Sequence, residues 1–237
     1  MSYSTEHIRN IAFTGHAGVG KTTLFEALLL AGGAIQTPGS VERGNTVSDT
    51  DSQEKSRVHS IDSCVAHIDR AGCHLNLIDT AGHADFRGAT LSALAAVETV
   101  VVVVNAINGI EHGTRRMMMH AKQRGLARVL LINKIDFGAD LAALVEALRE
   151  EFGSECLPVN LPAGRGKRVL DCFFHSEGAT DFSSLAEAHQ RILDQVVEVN
   201  ESVMGTYLDA GEDALTPQQV HDAFEQCLRE GHLVPIC

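Results

Sequence analysis

An apolar run that stops at a glycine, a short glycine-rich loop, and then helical apolar spacing constrain this chain more than any other feature. The run is Ile8 to Thr14, the loop is GHAGVGKT from Gly15 to Thr22, and the helical pattern covers Lys21 to Leu30 before Gly32-Gly33. The loop fits G-x-x-x-x-G-K-[ST], a pattern that requires a strand behind it and a helix in front. In that setting the segment Gly15, His16, Ala17, Gly18, Val19, Gly20, Lys21, Thr22 and Thr23 points backbone N–H groups at one spot, backed by the helix dipole. Such a spot suits a phosphate chain. Lys21 reaches the outer phosphates and the Thr22 hydroxyl serves a Mg²⁺ ion.

Two further segments extend this reading. DTAGH, Asp79 to His83, follows the apolar run Leu75 to Ile78. A carboxylate at Asp79 suits a Mg²⁺ site through water, Gly82 offers a backbone N–H near a γ-phosphate, and His83 stands at the position that carries a water-orienting Gln in some P-loop enzymes. NKID, Asn133 to Asp136, follows Val129 to Ile132. An aspartate accepts two hydrogen bonds from N1 and N2 of guanine, which adenine cannot supply, and such sites reject the wrong partner by up to roughly 10⁴-fold. Asn133, Lys134 and Asp136 are therefore the expected base-reading residues, and GTP and GDP the expected ligands.

Alternation of strand-like and helix-like segments over the first 155 residues predicts an α/β fold with a mostly parallel sheet and helices on both faces. Ligand groups in such sheets gather beyond the carboxyl ends of strands, where each motif falls. Val58 to Asp69 and Cys73 to Thr80 read as paired strands around Arg70 to Gly72. Thr99 to Ala106 and Arg128 to Asn133 read as buried parallel strands. His112 to Arg124 and Asp140 to Glu151 are helical. Gln36 to Ser56 is polar and aperiodic, a loop long enough to be functional. After Gly153 the pattern changes. Two short strands, Cys156 to Asn160 and Arg168 to Phe174, precede a helix from Ser184 to about Tyr207 and another from Thr216 to about Glu230. The expected organisation is a core over residues 1–155, an inserted α+β subdomain over 156–232, and a final core strand from 233 to 237.

Composition narrows the partners. The formal charge of −12 argues against wrapping nucleic acid or reading its sequence directly. Met1 to Asn10 is polar, with no apolar signal core, and the run Val100 to Val104 is too short to span a membrane. Six cysteines without a CxxC pair read as reduced, mostly buried thiols, so a cytoplasmic protein is expected. A zinc site at Cys64, His67, Cys73 and His74 is disfavoured, because Cys64 and His67 alternate across a strand, as do Cys73 and His74. Met117-Met118-Met119 reads as helix packing.

HLNLIDTAGHADF, INKID and the CLPVNLPAG segment that follows them resemble the translational GTPases, and among these elongation factor G. GSVERGNTVSDTDSQEKSR resembles the branch called elongation factor G-like. The resemblance implies a P-loop GTPase fold, Mg²⁺-dependent GTP hydrolysis stimulated by the ribosome, and His83 as the residue that positions the attacking water. It implies that Ser60 takes the place of a switch threonine and closes over Mg²⁺, so that the stretch up to Arg57 is a loop ordered by GTP. The switch motif reads Arg57-Val58-His59-Ser60 instead of RGIT, Gly18 replaces an aspartate, and Ala81 replaces a proline. The family places a Ser-Ala guanine-contact loop and further domains beyond Cys237, so the chain is expected to be an N-terminal piece. Two other readings share these motifs: a GTP-dependent binding switch with negligible catalysis, and a resistance or stress factor on the same scaffold.

Overall fold

The computed structural model describes residues 3–48, 51–57 and 59–237. The chain falls into two units, Met1–Leu126 and Ala127–Cys237. The first unit carries strands β1 (Ile8–Gly15), β2 (Cys64–Arg70), β3 (Cys73–Asp79) and β4 (Thr99–Asn105). β1 runs parallel to both β3 and β4, and β2 lies at the edge, antiparallel to β3. Its helices are α1 (Lys21–Ala31), α2 (Ser52–Arg57), α3 (Arg87–Ala93) and α4 (His112–Gln123). Val100, Val102, Val103 and Val104 of β4 are fully buried. An inner parallel strand is covered on both faces, which is why it reads as a continuous apolar run. Met117 and Met118 face the core while Met119 is exposed, so the methionine run is helix packing.

Two expectations for this unit shift. Val58, where a strand was expected to begin, lies outside the described residues, and β2 starts only at Cys64. The reason is local: the Glu54 carboxyl group accepts the Ile61 N–H at 2.9 Å and the Asp62 N–H at 3.2 Å, taking donors that a strand ladder needs. The polar loop is also not wholly irregular, since α2 forms inside it. His67 and His74 meet across the β2–β3 hairpin with ring centroids 4.9 Å apart. Among the described residues no three His, Cys, Asp or Glu side chains gather to hold a metal.

The second unit carries β5 (Ala127–Asn133), β6 (Cys156–Pro158), β7 (Asn160–Ala163), β8 (Arg168–Asp171) and β9 (Val234–Ile236). β9 runs parallel to both β5 and β6, and β7 and β8 form an antiparallel hairpin. Helices α5 (Leu141–Phe152), α6 (Leu185–Val197), α7 (Glu201–Ala210) and α8 (Pro217–Glu230) complete it. The single strand expected over Cys156 to Asn160 splits at Val159, which donates to Ile236 O at 3.0 Å and accepts from Cys172 N at 2.9 Å. Arg168 to Phe174 stops being a strand at Asp171, whose carboxylate turns back to accept the N–H groups of Phe173 and Phe174 at 2.8 Å each. The helix expected to reach Tyr207 is broken at Asn200. That side chain accepts from Ser202 N and Val203 N and so starts a new helix. Thr216 and Gln219 form the reciprocal capping box at the start of α8.

The core of this unit gathers Leu157, Leu161, Leu185, Ile192, Val196 and Leu233 around the buried thiols of Cys172 and Cys227. Burial, with Asp171 nearby, pushes the Cys172 thiol up to about 12, which keeps it protonated and unreactive. No helix among the described residues is long and apolar enough to cross a membrane.

His189 of α6 joins three pieces of the unit. Its Nδ1 lies 2.8 Å from Cys172 O and its Nε2 lies 3.0 Å from Glu212 Oε1. Partial burial opposes charging the ring, but the bonds to Glu212 and to the Cys172 carbonyl outweigh it, and the pKa is raised above 6.5. A raised histidine pKa adds stability that is complete below the unfolded value and is lost as pH rises through the folded one. The stability gap between wild type and His189→Gln, measured by urea unfolding, is therefore wider at pH 6 than at pH 8.5. A gap that stays constant with pH would contradict the pairing.

Candidate functional site

In the first unit the phosphate loop is shaped by what its glycines must avoid. Gly15 ends β1 at φ +136°, and a Cβ there would stand 2.5 Å from Val103 O of β4. Gly18 and Gly20 lie at φ +75° and +96°, left-handed positions that glycine occupies without steric cost. Gly20 is the N-cap of α1, which begins at Lys21. The loop His16 to Gly20 is thus a turn of backbone leading straight into a helix N-terminus.

Lys21 folds back over that loop. Its ammonium donates to His16 O at 2.9 Å and Gly15 O at 3.4 Å, and the residue is 7% exposed. Burial lowers its pKa to about 8, against the pull of Asp79 and Glu111. A Cβ on Gly82 would meet Lys21 Nζ at 2.3 Å and His16 O at 2.8 Å, so the DTAGH turn rests directly on the lysine.

Thr22, Asp79 and Ser60 bring three side-chain oxygens together. The Thr22 hydroxyl donates to Asp79 Oδ2 at 2.6 Å and lies 3.3 Å from Ser60 Oγ. Asp79 is placed by β3, whose parallel register sets it opposite Phe13 of β1, while Thr80 Oγ1 donates to Phe13 O at 2.7 Å. Asp79 is 1% exposed and Thr22 9%. Hydroxyls and a carboxylate are the hard oxygen donors that a small divalent cation such as Mg²⁺ takes, so this donor set fits the ion expected from the sequence.

His83 is half-exposed beside this cluster. Its ring stacks on His59 at 5.7 Å and leans on Phe86 at 6.0 Å, while Nδ1 lies 3.5 Å from Asp85 N and 3.3 Å from Asp85 Oδ2. Nothing in the sequence singles out this stacking role of His59, and sequence reasoning also misses the support that the loop receives from α4. A Cβ on Gly113 would stand 2.9 Å from His16 Cα, and His16 Nε2 lies 3.7 Å from Glu111 Oε1. His112-Gly113 at the head of a predicted helix is the one signal that could have marked that close approach.

Asn133, Lys134 and Asp136 belong to the second unit. β5 delivers them, pinned by β9: Ile132 N donates to Cys237 O and Cys237 N to Leu130 O, each at 2.8 Å. Lys134 takes φ +63°, ψ +37°, rare for a residue with a side chain, and a one-turn 3₁₀ segment over Ile135–Phe137 follows. Gly138 at φ +79° ends that turn. The Asp136 side chain stands exposed beyond the strand end, where an acceptor can meet a ligand's N–H groups.

Comparison with known proteins gives the family and the fold. Residues 6–230 match the family described as Elongation factor Tu GTP binding domain. The chain is 30% identical to the Elongation factor G-like protein of Mycobacterium tuberculosis over 97% of its own length and 34% of the relative's. It is 35% identical to Peptide chain release factor 3 of Nostoc punctiforme, over 81% of this chain and 37% of that one. A crystal structure of a Thermus thermophilus protein superposes with a TM-score of 0.88 at 33% identity, over 98% of this chain and 37% of that one. The chain thus spans about a third of the length of the relatives it matches. With the strand–loop–helix geometry, the oxygen cluster at Thr22 and a family match over nearly all its residues, the chain belongs to the elongation factor Tu GTP binding domain family, a GTP-binding domain of translational GTPases with the α/β P-loop fold.

Proposed function

We propose that this chain binds GTP and GDP with Mg²⁺ and hydrolyses GTP as the nucleotide module of an elongation factor G-like translation factor, in the cytoplasm and under stimulation by the ribosome. The observation that carries the reading is the meeting of Thr22, Asp79 and Ser60 oxygens within 3.3 Å of Thr22 Oγ1, next to the buried Lys21. In this reading Lys21 exchanges its carbonyl partners for β- and γ-phosphate oxygens, and the N–H groups of Gly15 to Thr23 complete the cradle. Thr22 and Ser60 hold Mg²⁺, with Asp79 behind them; when bound, the ion supplies positive charge against the phosphate oxygens. Asn133, Lys134 and Asp136 read the base. Residues 156–232 form an insert between the guanine motif and the strand at 233–237.

For hydrolysis, the oxygen of one water bonds to the γ-phosphorus as the bond from that phosphorus to the β–γ bridging oxygen breaks, giving GDP, inorganic phosphate and a proton released to solvent. The Gly82 N–H faces the γ-phosphate, and His83 orients the water. With Asp85 engaging Nδ1, the Nε2 side of the His83 ring is the one presented to water. The unassisted rate expected for such a site is about 10⁻⁴ s⁻¹.

Calorimetric titration of the chain with GDP, GTP and ATP in Mg²⁺ tests the reading. Binding of both guanine nucleotides and not ATP is the expected result; equal binding of ATP would overturn the role of Asp136. The same titration reads Lys21. Its pKa of about 8 leaves part of the population neutral at pH 8, and a phosphate chain restores the ammonium. Lys21 therefore takes up protons on binding at pH 8 and fewer at pH 6.5, measured in buffers of different ionisation enthalpy. Proton release at pH 8 would contradict it.

A further inference from the structure

Two buried acidic side chains grip the polar stretch between α1 and β2, and neither belongs to the phosphate chemistry. Glu26 lies on α1 and is 2% exposed. One of its oxygens accepts the Gly39 N–H and the other the Val47 N–H, each at 2.6 Å. Between those donors the chain closes on itself: Ser40 N donates to Asn45 Oδ1 at 2.9 Å, and Asn45 N to Ser40 O at 3.4 Å. A Cβ on Gly39 would stand 2.5 Å from Asn45 O and from Thr46 Cα. Residues 39–47 are therefore a tight ring clasped by one side chain of the phosphate-loop helix. Glu54, 4% exposed, repeats the device further along by accepting Ile61 N and Asp62 N.

The position of Glu26 on its helix gives the clasp a consequence. It follows Thr22 by four residues, so the two side chains lie on one face of α1, a turn apart. Thr22 lies 3.3 Å from Ser60. One helical face thus fixes the loop in its middle, through Glu26, and at its end, beside Thr22. A carboxylate suits the task because it offers an acceptor to each of two converging N–H groups. An amide of the same shape turns a donor toward one of them, and an aspartate falls a methylene short.

We propose that Glu26 is a positioning residue of the nucleotide site: it anchors residues 39–47 to α1 so that Ser60 is presented over Thr22, and it thereby favours GTP over GDP while touching neither. The GTP preference rests on the guanine-nucleotide reading given above; the anchor itself does not. Glu26→Gln, with circular dichroism as the check on folding, separates the two in two assays. The first is the rate of tryptic cleavage after the exposed Arg43 of the ring in nucleotide-free protein. The second is the affinity for GTP and for GDP in Mg²⁺.

Loss of one hydrogen bond to a charged acceptor predicts cleavage about tenfold faster and GTP affinity about tenfold lower, with GDP affinity within about twofold of wild type. Glu26→Asp falls between the two in both assays. Cleavage at the wild-type rate overturns the anchor, and equal loss of GTP and GDP affinity overturns the positioning role. If Glu26→Gln does not fold, Gly39→Ala perturbs the ring from its own side and must give the same pair of effects. A wild-type chain that binds neither nucleotide removes the functional reading and the GTP preference with it, and cleavage alone then upholds or overturns the anchor.

Discussion

Asp136→Ala is expected to lower the affinity for GDP and GTP by about 10²- to 10⁴-fold, the loss of two hydrogen bonds to a charged acceptor. The unfolding midpoint stays close to wild type, because the Asp136 side chain is exposed and substitutions at such positions rarely move stability by more than about 0.5 kcal/mol. Asp136→Asn sharpens the test. Its amide presents one acceptor and one donor, which matches the N1–H and the C2 carbonyl of xanthine and mismatches the two donors of guanine. That variant is expected to prefer xanthosine diphosphate to GDP. Unchanged GDP affinity in Asp136→Ala would show that the NKID turn does not read the base, whatever the phosphate loop does. Loss of GDP binding by Asp136→Asn without any gain for xanthosine diphosphate would mean the side chain shapes the turn and does not contact the ligand.

The parts of this site that are legible in the sequence are those where a residue type has one physical use. Gly15 must be glycine because Val103 O occupies the place of its Cβ, and Lys21-Thr22 must open a helix because the loop ends there. The α8 start is legible for the same reason, since Thr, Pro and Gln at that spacing satisfy the first N–H groups of a helix. What escaped is where a residue type has several uses. Glu26 sits among Phe25 and Leu29 in a helical pattern, and nothing local says that two distant N–H groups will need an acceptor. Lys134 carries no mark of a left-handed backbone. The break at Asn200 is hidden because the apolar spacing from Val196 through Val203 continues across it. The late start of β2 likewise depends on a carboxyl group outside the strand pattern, here Glu54 a few residues upstream, which outcompetes the strand ladder for Ile61 and Asp62.

His83→Ala is expected to lose most of the ribosome-stimulated GTP hydrolysis, by about 10²- to 10⁴-fold, the range for a side chain that handles the reacting water. Nucleotide affinity changes little. The polar contacts of the His83 ring run to Asp85 and its ring neighbours are His59 and Phe86, while the phosphate cradle proposed above uses Gly15 to Thr23, with Asp79 and Ser60. The stack matters for how the histidine works. Beside its contacts with Asp85, the ring rests on His59 and Phe86 at 5.7 and 6.0 Å. Residue 59 lies beside Ser60, so the segment that carries the Ser60 hydroxyl to Thr22 also carries one face of the stack. Loop closure and histidine placement are then coupled through adjacent residues. Measured as single-turnover phosphate release, wild type is expected to accelerate on ribosomes and His83→Ala is not, with equal GTP occupancy in both. Acceleration of His83→Ala at the wild-type rate would remove His83 from the reaction. Nucleotide-dependent ribosome docking by wild type with no acceleration would instead identify a binding switch, since the same geometry would then serve to present the loops and not to break the γ-phosphate bond.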